Sequence, residues 1–359
     1  MSPAAPASPD SATESEARAI TARRGAHLLR AVGLVVALAG LVLVCLLSVW
    51  LGSRDIPFTD TWDVLLRPDD FAGSDTAVII HDYRIPRTLL GLMAGMALGL
   101  SGALMQALTR NPLAEPGLLG VNTGASTGMV LAIAFLGVTS VTGYVWFALV
   151  GAALASLVVY VLGATGRGAA SPERLVLAGA AITAVLYAFN TAVLLSDPES
   201  YDEYRFWMVG SLAGRYYDVL LPLLPFAGVG AAIALLLMRP LNALAMGDDL
   251  GRALGAHPGL TRAAGAVAVT LLCGAATAAI GPIAFVGLAV PHAARLLVGP
   301  DQRWVLPYSL VLAPLLLVGS DVVGRVIVPS AEVQVGIVTA VVGVPVFCLL
   351  CRRRRLSSL

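Results

Sequence analysis

Polar and apolar positions fall in long alternating blocks along this chain. The clearest apolar block runs from Thr88 to Thr109, 22 residues without a charge, with Arg84 and Arg87 before it and Arg110-Asn111-Pro112 after it. As a helix it reaches roughly 33 Å at about 1.5 Å per residue. A hydrocarbon core is about 30 Å thick, so the block predicts a membrane-spanning helix. Ala31–Ser53 predicts an earlier span, too long for a signal-peptide core. Glu115-Pro116-Gly117 predicts a turn. Pro116–Gly166 then runs 51 residues without a charge, room for two helices with a turn at Gly137 to Gly143. Leu175–Ser196 and Val219–Met238 predict one span each. Ala263–Ala294, 32 residues broken by Gly281-Pro282, predicts a full helix and a shorter one. Trp304–Ser320 and Val333–Cys351 bring the total to ten. Residues 1–26 carry little to bury and predict a disordered tail. Residues 27–359 then form one transmembrane domain, with a loop over 52–86 on one side and a loop over 239–262 on the other.

Composition agrees with the pattern. The chain is 58% hydrophobic and 13% charged, that of a polytopic membrane protein in contact with lipid. A net charge of +1 gives no reason to expect nucleic acid. All 23 basic residues are arginine. The lack of lysine excludes a P-loop lysine or a Schiff-base lysine. With ten spans both termini share a side. That side holds 16 arginines against seven opposite, which predicts cytoplasmic termini and a multi-pass protein of the inner (plasma) membrane. Cys348 and Cys351 have CxxC spacing but no second pair or histidine cluster to complete a metal site, so no metal is expected. Of the four histidines, His27, His81 and His257 fall in loops or tails and His292 stands alone, which speaks against an intramembrane enzyme.

Gly91, Gly95 and Gly99 recur on one helix face and suit close approach of another helix, although glycine is common in such helices anyway. Gln106, Asn111, Asn122 and Asn190 are the main candidate polar residues in or near spans, for interhelical hydrogen bonds or for lining a path. No apolar run holds a central ionisable residue, which counts against an ion-coupled secondary transporter. Two Gly/Pro-interrupted junctions, Asn111–Gly124 and Gly281–His292, lie in blocks of opposite topology, a pattern pointing to a transport fold with an inverted repeat. In the outer loop, Thr59 to Leu66 predicts a capped short helix over the mouth. In the loop 239–262, leucines on either side of Gly247 predict two short helices, the second with an acidic start at Asp248-Asp249. They are either a docking element for a cytoplasmic partner or an interfacial helix on lipid. An arginine at a helix end snorkels when it stands singly. Arg84, Arg87 and Arg325 at one level would instead form a receptor for carboxylates.

Several stretches carry a resemblance. RIPR, SGALMQ and RNPLAEPGLLGVNTGAS, followed by GPIAFVGLAVPHAARLLVGPDQR and VGIVTAVVGVPVF, closely resemble the FecCD family over roughly Arg30 to Cys351. These are the membrane subunits of binding-protein-dependent ABC importers for ferric siderophores, haem and cobalamin. The resemblance implies an all-α integral membrane protein of about ten helices, type II ABC importer permease-like, with a pseudo-symmetric inverted repeat. It implies that Arg84, Arg87 and Arg325 meet carboxylates of a substrate-binding protein. It also implies that Leu244, Gly247, Leu250, Gly251, Arg252, Leu254 and Gly255 belong to the element seated in a dimeric ATPase. Ser171-Pro172 would lie near a gate. The expected partners are that ATPase, which uses the ATP, the binding protein and a second permease chain, identical or homologous. The chain itself would bind no cofactor. A ferric siderophore is the expected cargo, with cobalamin or haem as the alternative.

Overall fold

The computed structural model describes residues 9–71, 73–164, 172–253, 255–328 and 331–353, with backbone alone for 9–24, 172 and 350–353. Helices are the only regular secondary structure among these residues. Helix α1 spans Pro9–Trp50, followed by the short helices α2 (Phe58–Leu66) and α3 (Asp75–Val78). Then come α4 (Ile85–Thr109), α5 (Val121–Leu136), α6 (Val141–Ala164), α7 (Pro172–Ser196) and α8 (Pro198–Met208). After α9 (Tyr217–Leu236) the short pair α10 (Met238–Ala245) and α11 (Asp248–Ala253) forms a loop. The chain finishes with α12 (Pro258–Ile280), α13 (Val286–Val298), α14 (Gln302–Val326) and α15 (Val335–Arg353). Among the described residues, seven helices are long and apolar enough to cross a membrane, and α5, α13 and α15 are shorter apolar helices. Together they make the ten spans expected. The turn between α5 and α6 starts at Gly137, and α12 stops one residue before Gly281.

Two boundaries differ from the expectation. The stretch that reads as a tail continues α1 as helix from Pro9, because its Ala, Glu and Arg are good helix formers. The second span begins earlier than Arg84. Its helix starts at Asp75, where the Ser74 hydroxyl accepts from the Ala77 N–H, and passes through a π-helical turn over Ile79–Arg84. A third difference is chemical. Helix α2 forms where expected, but Pro57 is its N-cap residue and no side chain caps it.

Helix α4 is the inner helix. Eighty-three per cent of its apolar stretch is buried, against 6% for α1 and 11% for α7. It packs on α14, α12, α13 and α9. Small residues explain how so many helices reach it. Gly91, Gly95 and Gly99 face α14, and a side chain at Gly95 would run into the backbone of Pro314. On another face Gly102 lies against the backbone of Gly287 in α13. Without a hydrophobic drive inside lipid, such close van der Waals contact is what holds helices together.

The two interrupted junctions meet in this interior. After α4 the chain turns at Arg110 and Asn111, re-enters, and makes a 3₁₀ turn over Pro116–Leu119 before α5. The second junction, between α12 and α13, brings Gly287 against Pro116. Among the described residues, the two non-glycine residues with positive φ are Arg110 (50°), immediately before the first junction, and Phe285 (67°), within the second. Side chains rarely adopt that left-handed region, so both turns are held by their surroundings.

Candidate functional site

Three clusters of polar side chains interrupt the apolar body, one at each end and one inside. At the end where α4 begins, the arginines converge with two carboxylates. Arg87 forms a two-pronged pair with Asp321 (2.8 Å) and a second pair with Glu332 (2.8 Å). Arg325, one helical turn after Asp321, also pairs with it (3.0 Å). Arg325 then donates to the Ser48 carbonyl (2.9 Å), the Leu51 carbonyl (3.0 Å) and the Ser48 hydroxyl (2.6 Å). Arg84 donates to the carbonyls of Val49, Trp50 and Arg54.

The last carbonyls of a helix have no partner within it, and they carry the negative end of its dipole. Arg84 and Arg325 supply that missing cap to α1 from two other helices. Both are buried, at 5% and 4% exposure, so neither snorkels. Arg84, Arg87 and Arg325 all line a cavity of about 330 Å³, together with Tyr83, Tyr216 and Glu332. Glu332 lies in the loop before α15. Burial pushes its carboxyl up, and the Arg87 guanidinium outweighs this and holds it below the usual range.

At the opposite end, α10 and α11 form the loop, two short helices as expected. Leu241 and Leu244 are buried beneath it, while Leu250 is half exposed. Gly247, at φ 109°, makes the break that an L side chain would oppose. Gly251 sits against the carbonyl of Ala243, and Gly255 has φ 82°. Arg252 pairs with the exposed Asp249 on the surface (3.1 Å). Leu254 and Ser171 lie outside the described residues, as does the side chain of Pro172. Asp248 turns inward and accepts from Arg262 through both oxygens (2.9 and 2.8 Å) and from Arg110 (2.6 Å). Asn242 donates to Asp301, the N-cap of α14 (2.6 Å), and accepts from the Gln302 N–H (2.9 Å).

Between the two ends, the junctions line an open cavity of about 260 Å³, with Leu98, Glu115, Asn122, Cys273 and Ile283 among its walls. The Asn122 amide oxygen accepts from Thr277 (2.9 Å) and Cys273 (3.4 Å). Gln106 donates to the Leu288 carbonyl (3.1 Å) and accepts from Arg295. Asn111 caps its own turn by accepting from the Leu113 N–H (2.9 Å). Asn190 is buried with its amide oxygen unpartnered. Glu115 is exposed and lines this cavity from the loop after α4. It belongs to no apolar run, yet the re-entrant segment carries it alongside Leu98, halfway down α4. Sequence reasoning does not single out Asp321, Glu332, Asp248 or Glu115 as site residues. The DVVGR pattern around Asp321 and the acidic start at Asp248 are the available signals, and neither reveals a partner.

A polytopic helical bundle with two broken helix junctions meeting inside, a charged rim and a structured loop at the far end is the architecture of a membrane permease. The chain belongs to the FecCD transport family, whose model matches residues 40–353. It is 47% identical over 331 residues to the ferric enterobactin transport system permease protein FepD of Escherichia coli (strain K12), covering 90% of this chain and 97% of that one. The cobalamin import system permease protein BtuC of Halobacterium salinarum is 36% identical, over 86% of this chain and 82% of the relative. A solved structure described as an inward-facing conformation of a metal-chelate type ABC transporter aligns with TM-score 0.77 at 26% identity. It covers 89% of this chain and 99% of the other.

Proposed function

We propose that this chain is the permease subunit of an importer that takes up a ferric siderophore handed over by a substrate-binding protein. A separate ATPase dimer supplies the energy. The observation that carries the cargo is the 47% identity along nearly the whole length of a ferric enterobactin permease, above the 36% to a cobalamin permease. In this reading both termini are cytoplasmic and the membrane is the inner (plasma) membrane. A second permease chain, identical or homologous, completes the path, and the largely unburied α7 leaves a face for it.

The binding protein docks on the arginine rim. Arg87 is the contact residue, because it is less buried than Arg84 and Arg325 and its tie to Glu332 is exposed, so an arriving carboxylate can replace Glu332. Arg84 and Arg325 form the floor and add positive field. The α10–α11 loop seats in the ATPase through Leu250, Arg252 and the turns at Gly247 and Gly255. Closure of the ATPase on ATP pulls this loop and shifts the population of permease conformations toward release. The segment near Ser171-Pro172 acts as the gate.

Arg87→Glu tests the rim. The reconstituted complex is expected to bind its binding protein about tenfold more weakly or worse, the scale for breaking a close interfacial charge pair, with the ATPase still attached. Unchanged affinity would refute the docking role. The affinity of the binding protein for a panel of iron chelates, cobalamin and haem identifies the cargo.

A further inference from the structure

A push on the α10–α11 loop does work only if it reaches the spans. Apolar burial of Leu241 and Leu244 helps fasten the loop, and it resists separation but has little direction. The polar ties are directional. One joins Asn242 in α10 to the start of α14 through Asp301. The other is the carboxylate of Asp248, the first residue of α11, held by Arg262 near the start of α12 and by Arg110 just after α4.

Arg110 is where α4 ends and the re-entrant segment begins. Its backbone is in the left-handed conformation (φ 50°), uncommon for a side chain other than glycine. Five residues further on, that segment places Glu115 on the wall of the open cavity between the junctions. Arg262 is buried at 6% exposure. The neighbouring Asp249 faces the other way and is fully exposed. Adjacent acids in one short helix therefore have separate roles, one outward and one inward.

We propose that Asp248 is a positioning residue that transmits movement of the α10–α11 loop to the cytoplasmic end of α4, and through Arg110 to the re-entrant segment lining the cavity. Charge-assisted pairs suit this role because they are short and directional. Burial pushes the Asp248 carboxyl up, but hydrogen bonds from Arg262 and Arg110 outweigh it and hold it below the usual range, so it is ionised at neutral pH. The physical link is one carboxylate shared by three elements, each able to move as a body.

This inference rests on the loop being the ATPase seat, and the experiment separates the two. In proteoliposomes holding the full complex, uptake per ATP hydrolysed is measured for Asp248→Asn, Asp248→Glu and Arg110→Gln, with ATPase co-purification for each. Asp248→Asn is expected to keep the ATPase bound and hydrolysing, and to lose on the order of tenfold in uptake per ATP, within the usual span of coupling effects. Asp248→Glu is expected to restore most of it. Arg110→Gln cuts only the branch to α4 and is expected to reproduce the loss, which keeps the test available if Asp248→Asn does not fold. Unchanged uptake per ATP in both Asp248→Asn and Arg110→Gln overturns the transmission role. Loss of the ATPase from Asp248→Asn also overturns it, making Asp248 part of the seat. Leu250→Arg addresses the seat itself, and an ATPase that stays attached to that variant would sink the seat reading instead.

Discussion

Arg84 and Arg325 are cations that donate to backbone carbonyls at the end of α1, Arg325 while also paired with Asp321. They close the open end of α1 from 34 and 277 positions away along the chain. From the sequence they are charges near helix ends, and a charge near a helix end invites a surface role. What sets their role is that α1 has no basic residue in its own last turn. Replacing Arg325 by Met leaves the Ser48 and Leu51 carbonyls without that donor, and each buried carbonyl left unpaired costs about 1–3 kcal/mol. The Arg325→Met variant is expected to melt at lower temperature in detergent than Arg325→Lys, as read by a thermal-shift assay. Equal melting would refute the capping role. Asp321 is the hinge of this cluster, bound to Arg87 and Arg325 at once, so Arg87 remains oriented even when Glu332 is exchanged.

At the scale of elements, span positions were legible because each depends on contiguous residues. A block without charge long enough for the hydrocarbon core is one helix, and glycine or proline breaks it where it stands. The start of α4 was less legible. Residues 75–84 contain Asp75, His81 and Asp82, so no apolar pattern marks the helix that begins there. The small-residue face of α4 is the feature on which the bundle closes. Gly95→Leu is expected to separate α4 from α14, because the added side chain meets the backbone of Pro314 rather than a flexible tip. The yield of monodisperse protein in detergent should fall sharply for this variant. Leu89→Ala, on the exposed side of the same helix, should be tolerated. Normal recovery of Gly95→Leu would contradict this packing.

For the whole molecule, the open cavity lined by Glu115 raises the question of ion coupling directly. An exposed acid lining a cavity is a feature secondary carriers use, and it is also compatible with a path that passes a chelate. The chain has no lysine and therefore no P-loop lysine of its own. Vesicles containing this protein alone, under a proton or sodium gradient and without nucleotide, are expected to accumulate no ferric siderophore. Accumulation is expected once the binding protein, the ATPase and ATP are present. Gradient-driven accumulation by the chain alone would overturn the importer reading.

The number of spans, their breaks and the resemblance to a transport family were determined by the sequence itself, since hydrocarbon thickness and the backbone effects of glycine and proline act on neighbouring residues. The meetings of charges were decided only by the tertiary structure. Arg87 and Asp321 are 234 positions apart, and Arg110 and Asp248 are 138 apart. Nothing local encodes such pairs: they exist because helix packing around α4 brings distant segments within hydrogen-bond reach, in surroundings where a buried charge without a partner would be costly.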